Sequence, residues 1–452
     1  MLDKCNRFAK KALRLGAEEA EICILERRGI ECTIETNRVK LVSAGSSVGL
    51  ALRVLKGDRL GFSFTTKLDD IEGLVRKALS MSRLGKRVRD FRFPSGEKTR
   101  KVQKTFDKRL ADLPPEYGHR GCLEMIEGAL EVDKEINLPR GRTRYGVETL
   151  SMSNSRGLEA EDKVTYFYAG VDTVLKRNGV STGAESYCSK LMDADFTEIG
   201  RKAAQWALDT SGPKRIQGGR MSVLFCPLAV RDMLEFILVP ALYADRSRKG
   251  ESFLSDKLGE VVTSEKISFY DEPRMPNGPN SGAIDDEGTP SSRTDLITRG
   301  ELKSFLYDAI TASEYGERST SNAIRAGRLS NERKFNFPPR ISARNFVLRG
   351  PGKGREDLLA ETEDGILVHG VLGAHTSNPA SGDFSVSSPR LLRIEKGEIV
   401  HPVSSAMISG NLLDLLGRVS GVADDTRAMR GSIGVLGVVA PTVRFEDVQV
   451  TG

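Results

Sequence analysis

The sequence of 452 residues is poor in the side chains that most often build metal and disulfide sites. It has four histidines, and none of them is followed by a glutamate. The missing His-Glu pair excludes a His-Glu-x-x-His zinc helix. Its six cysteines are widely spaced and form no Cys-x-x-Cys pair, which predicts free thiols in a reducing compartment.

Long apolar runs and blocks of like charge are also missing. No stretch approaches the roughly 18 uninterrupted apolar residues of a membrane-spanning helix. The N-terminal run MLDKCNRFAKKALRLG has the spacing of an amphipathic helix and not of a signal peptide. We therefore expect a cytoplasmic protein with no membrane partner. The net charge of +6 is small for this length, so the sequence does not indicate a nucleic-acid partner.

Length and patterning predict an α+β protein in three parts, because a chain this long needs more than one hydrophobic core. Two small N-terminal modules of helix and antiparallel sheet are expected, one over 1–88 and one, after a linker, within 89–214. A larger β-rich domain follows over 215–452. In the first module, EAEICIL and IECTIET are interpreted as separate strands, joined by a turn at R-R-G (27–29).

The stretch LGAHTSNPASGDFSVSS (372–388) has the histidine, acid and hydroxyl residues typical of an active-site loop. One interpretation is a metal site of His375, His401 and Asp383. His369 and His375 would lie about 20 Å apart on a straight strand, so a shared ion requires a bend at an intervening glycine. The alternative is that these histidines end strands or hydrogen-bond to the backbone.

Two further motifs have a structural interpretation beside a chemical one. G-S-S-V-G (45–49) matches the nucleophile-elbow pattern, but a strand-like run follows it where the elbow needs a helix, so we interpret it as a strand or turn. The acidic run Asp285-Asp286-Glu287 could bind a cation. Acids before Gly-Thr-Pro are more typical of a solvated turn between strands.

Several segments together resemble the PmbA/TldD family, sometimes called modulators of DNA gyrase. IDDEGTPSSRTDLITRGELKSFLYDAITASEYGERSTSNAIR resembles the family's run from D-G-E-G-T-P to S-T-G-N-A-x-R, SGDFSVSS its G-D-F-S, and SSAMISGNLLDLL its x-I-S-G-N. LVSAGSSVGLALRVLKGDRLGFSFTT is similar to its N-terminal hairpins. One departure is Ser321, which stands where the family has glycine, so the backbone there is expected to differ.

The resemblance also implies a branch of the family. TldD-like chains carry His-Glu-x-x-x-His on a helix early in the last domain and hold zinc with these histidines and a later cysteine, while the glutamate acts as general base. If Glu235 aligns with that glutamate, Leu234 and Val239 occupy the histidine places, and no cysteine follows Cys226. The chain thus resembles the TldE/PmbA-like branch, which implies no catalytic residue, metal ligand or cofactor here and zinc in a TldD-like partner.

The resemblance implies a non-catalytic subunit that pairs with a homologous TldD-like chain, or with itself, in a peptidase acting on unfolded proteins and peptides. An extended peptide would pair with a strand edge at 380–388. The residues expected to bind it are Gly382, Asp383, Phe384, Ser385, His375 and Asn411. Structurally, Phe384 could instead be a core residue and the serines strand-face residues.

Two other functions remain as alternatives. One is a homodimeric metallopeptidase with an atypical metal site built from His375, His401 and Asp383. The other is a DNA gyrase modulator that acts by binding.

Overall fold

One six-stranded antiparallel sheet is the framework of the N-terminal half. The computed structural model describes residues 1–327, 330 and 332–452. The elements of this half are α1 (Leu2–Arg14), β1 (Glu19–Glu35), β2 (Arg38–Lys56), β3 (Arg59–Thr65), α2 (Ile71–Ser82), α3 (Lys108–Ala111), α4 (Pro115–Val132), β4 (Asn137–Asn154), β5 (Glu159–Leu175), β6 (Ser181–Ser189) and α5 (Phe196–Asp209). The strand order in the sheet is β3-β2-β1-β4-β5-β6.

The two predicted modules share this sheet. Strand β1 of the first pairs with β4 of the second along most of its length, from Glu21 opposite Asn154 to Ile34 opposite Gly141. The α+β class is confirmed, and the helix-and-sheet modules are joined edge to edge.

The two faces of the sheet have different neighbours because side chains alternate along a strand. Ile22 and Ile24 of β1 pack into a core with residues of α1 and α2. Cys23 and Leu25 point to the other face and pack with Ile284 of the C-terminal half. Each strand therefore contributes both to its own module and to the contact with the rest of the chain.

The turn predicted at R-R-G is wrong, because β1 continues through Gly29. Gly29 pairs with Gly45 of β2 and Gly146 of β4. A Cβ at Gly29 would lie 2.1 Å from the Tyr166 hydroxyl, so the glycine allows a close approach within the sheet. The G-S-S-V-G motif lies inside β2, as the strand interpretation predicts.

The C-terminal half contains the larger number of short strands. Its elements are β7 (Gly219–Phe225), α6 (Pro227–Met233), a π-helical segment (Leu234–Leu238), α7 (Val239–Ala241), α8 (Ala244–Ser247), β8 (Ser268–Asp271), β9 (Thr294–Thr298), β10 (Glu301–Leu302), α9 (Ala309–Tyr315), β11 (Ala323–Arg325), β12 (Pro339–Ile341), β13 (Asn345–Arg349), α10 (Arg355–Ala360), β14 (Asp364–Val368), a 3-10 turn (Ala374–Thr376), β15 (Asp383–Ser388), β16 (Leu391–Glu395), β17 (Glu398–Val403), β18 (Ala406–Asn411), α11 (Leu412–Gly417), β19 (Val419–Val422), β20 (Arg427–Arg430), β21 (Gly437–Ala440) and β22 (Val443–Thr451).

Two large sheets organise this half, beside the two-stranded sheet β11-β12. One has the order β10-β9-β8-β13-β21-β20, and the other runs β15-β18-β22-β7-β14-β16-β17, with β19 added beside β22. The segment from α6 to α7 is buried in the main hydrophobic core that both sheets help to enclose. Strands β15 and β17 are at opposite ends of the second strand order.

The acidic run 285–287 is fully buried, so the solvated turn predicted from sequence is wrong in its exposure. The carboxylate of Glu287 accepts a hydrogen bond from Arg53 of β2 at 2.6 Å. Arg53 also donates to Glu21 of β1 at 2.6 Å. Burial of Glu287 is tolerated because Arg53, from the other half of the chain, neutralises it.

Two arginines of the C-terminal half extend this cluster. Arg325 donates to Glu21 at 2.5 Å. Arg333 forms an ion pair with Asp286 at 3.1 Å and another with Glu148 of β4 at 3.1 Å. We call this cluster the buried lock, because it joins the sheet to the C-terminal half; its members are Glu21, Arg53, Glu148, Asp286, Glu287, Arg325 and Arg333.

The remaining expectations about the whole chain concern cysteines and membranes. All six cysteines are buried and free, which confirms the free thiols, and burial raises the pKa of each thiol. Within the described residues, no helix is long and apolar enough to cross a membrane.

Candidate functional site

A π-helical turn stands at the positions where the sequence suggests a degenerate zinc helix. The N–H of Val239 donates to the carbonyl of Leu234, five residues earlier. This spacing places the two side chains one turn apart on the same face. Both are aliphatic and buried in the main core, with 2% and 0% exposure, so neither place offers a metal ligand.

Glu235, between them, is held by the backbone of a loop. Its carboxylate accepts the N–H groups of Ser432 at 2.5 Å, Gly434 at 2.6 Å and Ile433 at 3.2 Å. A Cβ at Gly431 would lie 2.8 Å from the same carboxylate, so a glycine there allows the loop to come close. Burial raises the pKa of Glu235 above its usual value although the three N–H groups oppose this.

The histidines lie apart from one another. His369 is buried against the Trp206 ring, with 4.0 Å between ring centroids, and its Nε2 lies 2.8 Å from the carbonyl of Ala184. Burial holds its pKa well below the usual value. This histidine hydrogen-bonds to the backbone, as the alternative interpretation predicts.

The atypical metal site is not assembled. His375 is in the 3-10 turn beside Phe236, Asp383 begins β15, and His401 lies on β17 at the other end of that strand order. In residues 1–327, 330 and 332–452, no three His, Cys, Asp or Glu side chains come together as metal ligands. The interpretation fails because β17, which carries His401, is at the opposite end of the strand order from β15, which carries Asp383.

The strand at which peptide binding is predicted lies at an edge, since β15 is a terminal strand of its sheet. The chain itself covers part of this edge. Leu372 exchanges two backbone hydrogen bonds with Ser387, of 2.7 and 3.0 Å, and the N–H of Asn378 donates to the carbonyl of Asp383 at 3.1 Å. Ser385 lies between Asp383 and Ser387 on β15, so its backbone N–H and carbonyl point to the same outer edge of the sheet. Its side chain is exposed.

The other members of the predicted peptide-binding set have visible structural roles. Phe384 is buried in the main core, as the structural alternative predicts. Asn411 caps α11 by accepting the N–H of Leu413 and donates to Asp383 and to the carbonyl of Ser381. Gly382 has φ +82°, a conformation that glycine adopts readily. Peptide binding by this set stays a prediction.

Ser321, the departure from the glycine of the resembling family, keeps a left-handed backbone with φ +60°. Its hydroxyl donates to the carbonyl of Thr320 at 2.6 Å and accepts the N–H of Ser292 at 3.1 Å. The conformation is one that glycine adopts with less strain. The substitution therefore does not require a different backbone here.

A chamber of about 660 Å³ lies between the N-terminal sheet and the C-terminal half. Strands β1, β4, β5 and β6 form one wall. The opposite wall is formed by α6, the link 370–372, Arg390, and the end of β20 with the loop that Glu235 holds. This volume is typical of ligand sites, roughly 300–1,000 Å³. Arg231 and Asp232 of α6 line the chamber, and α6 leads directly into the π-helical segment, so the chamber lies beside the degenerate zinc helix.

The wall of the chamber is rich in arginine. Three of its arginines are alternate residues of β4, so they point to one face of the sheet. The six lining arginines are Arg140, Arg142, Arg144, Arg231, Arg390 and Arg430. None of the six is among the site residues predicted from the sequence, although the alternation in R-G-R-T-R (140–144) is visible there.

Three domain models of one protein family together match most of the chain. Models of PmbA/TldA metallopeptidase domains match residues 20–82 (domain 1), 108–210 (central domain) and 218–452 (C-terminal domain). The chain belongs to the PmbA/TldD metallopeptidase family. The resemblance stated from the sequence motifs is confirmed.

Relatives in this family match the whole chain. A metalloprotease of Methanothermobacter thermautotrophicus is 25% identical over 96% of each chain, and metalloprotease PmbA of Escherichia coli O157:H7 is 25% identical over 95% of this chain and 92% of its own. The crystal structure of TldE from Thermococcus kodakarensis has a TM-score of 0.92 and 25% identity, covering 99% of this chain and 100% of that chain.

A Thermotoga maritima structure, described as a candidate modulator of a DNA gyrase, has a TM-score of 0.89 and 27% identity, with 99% of each chain covered. For the present chain, binding to gyrase stays a prediction.

The zinc that the sequence resemblance implies for TldD-like chains does not fit the corresponding residues here. Leu234 and Val239 have no donor atoms in their side chains, and Glu235 is engaged by three backbone N–H groups. Cys226 precedes the helix and no cysteine follows it. We therefore derive no catalytic step through a metal in this chain.

Proposed function

We propose that this chain is a non-catalytic, TldE-like subunit of a two-chain zinc metallopeptidase, in which a homologous TldD-like chain supplies the zinc. The observation that carries the proposal is the degenerate helix. Its ligand places are aliphatic, and Glu235 already accepts three backbone hydrogen bonds. A carboxylate bound in this way lacks the nearby metal-bound water on which a general base would act.

The role proposed for the chain is to complete a chamber for extended, unfolded peptide. The chamber beside the helix is large enough for a short segment of chain. Leu372 lines the chamber and also pairs with β15, so the cavity and the predicted peptide edge are continuous. A peptide strand added at this edge would compete with Leu372 for the hydrogen bonds of Ser387.

The test is hydrolysis of an unfolded protein by the purified chain, alone and mixed with a homologous chain that contains His-Glu-x-x-x-His. We expect no hydrolysis by this chain alone. The mixture should hydrolyse the substrate faster than the homologous chain alone, and a zinc chelator should stop the reaction. Chelator-sensitive hydrolysis by this chain alone would overturn the proposal, as would a mixture no faster than the homologous chain.

A pair of matched variants separates the two subunits. Glu235→Gln in this chain removes its carboxylate, and the same change in the partner's motif removes the expected general base. We expect the mixture to keep most of its activity with the first variant and to lose it with the second. Equal losses would mean that Glu235 takes part in the chemistry.

A further inference from the structure

The acids that line the chamber are already paired with arginines. Asp172 of β5 pairs with Arg140 of β4, and Asp232 pairs with Arg231 at 2.8 Å. Glu185 of β6 accepts hydrogen bonds from Arg427, which comes from outside the lining. These acids therefore leave little negative charge to balance the remaining cations of the wall.

Arg390 is the lining arginine without such a partner. In the described part of the chain, its guanidinium makes no hydrogen bond and has no carboxylate within 4 Å, and its Nε is buried without a partner. Asp172 and Asp232 act on it through their charges only, and Arg231 opposes them. A largely buried guanidinium without a partner loses solvation that only a ligand or water can restore.

Hydrogen bonds fix the backbone of Arg390 and so position its side chain at the chamber wall. Its carbonyl accepts the N–H of His369, and its N–H donates to the Ser388 hydroxyl at 3.2 Å. One terminal nitrogen of the guanidinium would lie 3.4 Å from a Cβ at Gly370, so the absence of a side chain there leaves room beside the group.

We infer that Arg390 binds a carboxylate of a peptide inside the chamber, an inference that rests on the proposed function of peptide binding. A guanidinium presents two parallel N–H groups that match the two oxygens of a carboxylate. Asp172 and Asp232 limit the local positive charge, which favours a singly charged carboxylate over a doubly charged phosphate. The source of the carboxylate is either the peptide C-terminus or an acidic side chain.

The experiment is calorimetric titration of the purified full-length chain with three N-acetylated peptides of one uncharged sequence. The first has a free C-terminal carboxylate, the second a C-terminal amide, and the third an amide with one internal glutamate. We expect the first or third to bind at least about tenfold more tightly than the second, as for a charge-assisted hydrogen bond. The peptide that shows the preference identifies the source of the carboxylate.

Arg390→Met should remove this preference. Arg220→Met is the matched control, because Arg220 is an exposed arginine paired with Asp447 outside the chamber, and it should keep the preference. Arg390→Lys keeps the charge without the two parallel N–H groups and should give an intermediate preference. This second variant provides the test if Arg390→Met does not fold.

Three outcomes would overturn the inference: equal binding of the three peptides, no binding of any of them, or a preference that survives in the Arg390 variants. The proposed function is judged separately, by hydrolysis of unfolded protein in the mixture with the zinc-bearing homologue. An uncharged substrate that is still hydrolysed there would leave the proposed function standing while the carboxylate inference fails.

Discussion

The buried lock and the chamber both place arginines between the N-terminal sheet and the C-terminal half, and Arg53 of the lock differs from Arg390 of the chamber in how it is neutralised. In the buried lock, Arg53 is 2% exposed and bonds to both Glu21 and Glu287. In the chamber, Arg390 has no carboxylate within 4 Å in the described part of the chain. Arginine therefore stabilises the contact between the two halves in the lock, whereas in the chamber it is available to bind a ligand.

Two properties therefore distinguish a structural arginine from a ligand-binding one: whether a carboxylate pairs with it, and whether solvent is excluded from it. A fully paired cluster excludes solvent and resists change, because removing one partner leaves an uncompensated buried charge. An unpaired cation beside a cavity can accept a ligand without breaking an existing ion pair. Four substitutions test this comparison.

Breaking the lock should have the largest effect on stability. Arg53→Met leaves Glu21 without one of its two arginines and Glu287 without its only ion-pair partner in the described part of the chain. We expect the free energy of unfolding to fall by about 3–5 kcal/mol, measured by urea denaturation. Arg220→Met, at an exposed ion pair, is the control and should change little. Equal effects of both changes would contradict a structural role for the lock.

Lys190, near the lock, provides a pH test. It is 4% exposed, and burial together with the charge of Arg333 lowers the pKa of its ammonium from 10.5 to about 8. Between these values the unfolded chain holds more protons, so the free energy of unfolding should rise with pH across this window, by on the order of 3 kcal/mol. Lys190→Met should abolish the rise, measured by denaturation at several pH values.

The matched control for this test is Lys176→Met, at an exposed lysine that follows β5. The control should keep the rise between pH 8 and 10.5. A rise that persists in Lys190→Met would mean that another group is responsible for it.

Glu235 tests a carboxylate held by backbone donors in place of arginines. Glu235→Gln keeps the size of the side chain but replaces one accepting oxygen by an N–H₂ group that faces backbone N–H donors. We expect a loss of about 1–3 kcal/mol in the free energy of unfolding and faster hydrogen exchange at residues 432–434. The exposed Glu251→Gln serves as control. Unchanged exchange at 432–434 would contradict the anchoring role of Glu235.

Arg390→Met should have the smallest effect on stability. The change removes a guanidinium that has no hydrogen-bond partner among residues 1–327, 330 and 332–452, so little is lost on folding and some desolvation is relieved. We expect the free energy of unfolding to change by less than about 1 kcal/mol. Urea denaturation beside Arg53→Met gives the direct comparison. A loss as large as that of Arg53→Met would mean that Arg390 belongs to the structural framework.

Some of these features can be predicted from the sequence, because they depend only on which residues are present and on how regularly apolar or charged residues recur. The α+β class follows from alternating and helical patterns, and the absence of a His-Glu-x-x-x-His motif follows from the residues that come after the four histidines. The Arg-x-Arg-x-Arg alternation at 140–144 is also local, and it predicts one arginine-rich face on a strand.

The acidic run 285–287 shows where local reading fails. By composition it resembles a solvated turn, and the turn itself is present, with the N–H of Gly288 donating to the carbonyl of Asp285. The burial of Glu287 depends on its ion pair with Arg53, which is 234 residues away in the chain. No pattern within the run indicates a partner at such a distance.

By itself, the sequence determined the family, the class of fold and the absence of a His-Glu-x-x-x-His motif, because each depends on which residues stand at neighbouring positions. Only the tertiary structure decided that the acids at 285–287 are buried, that Glu235 binds a loop, and that Arg390 lies in a chamber with no ion-pair partner among the described residues. The physical reason is that the energy of a charge depends on its solvent exposure and on its partners, and here both come from distant parts of the chain.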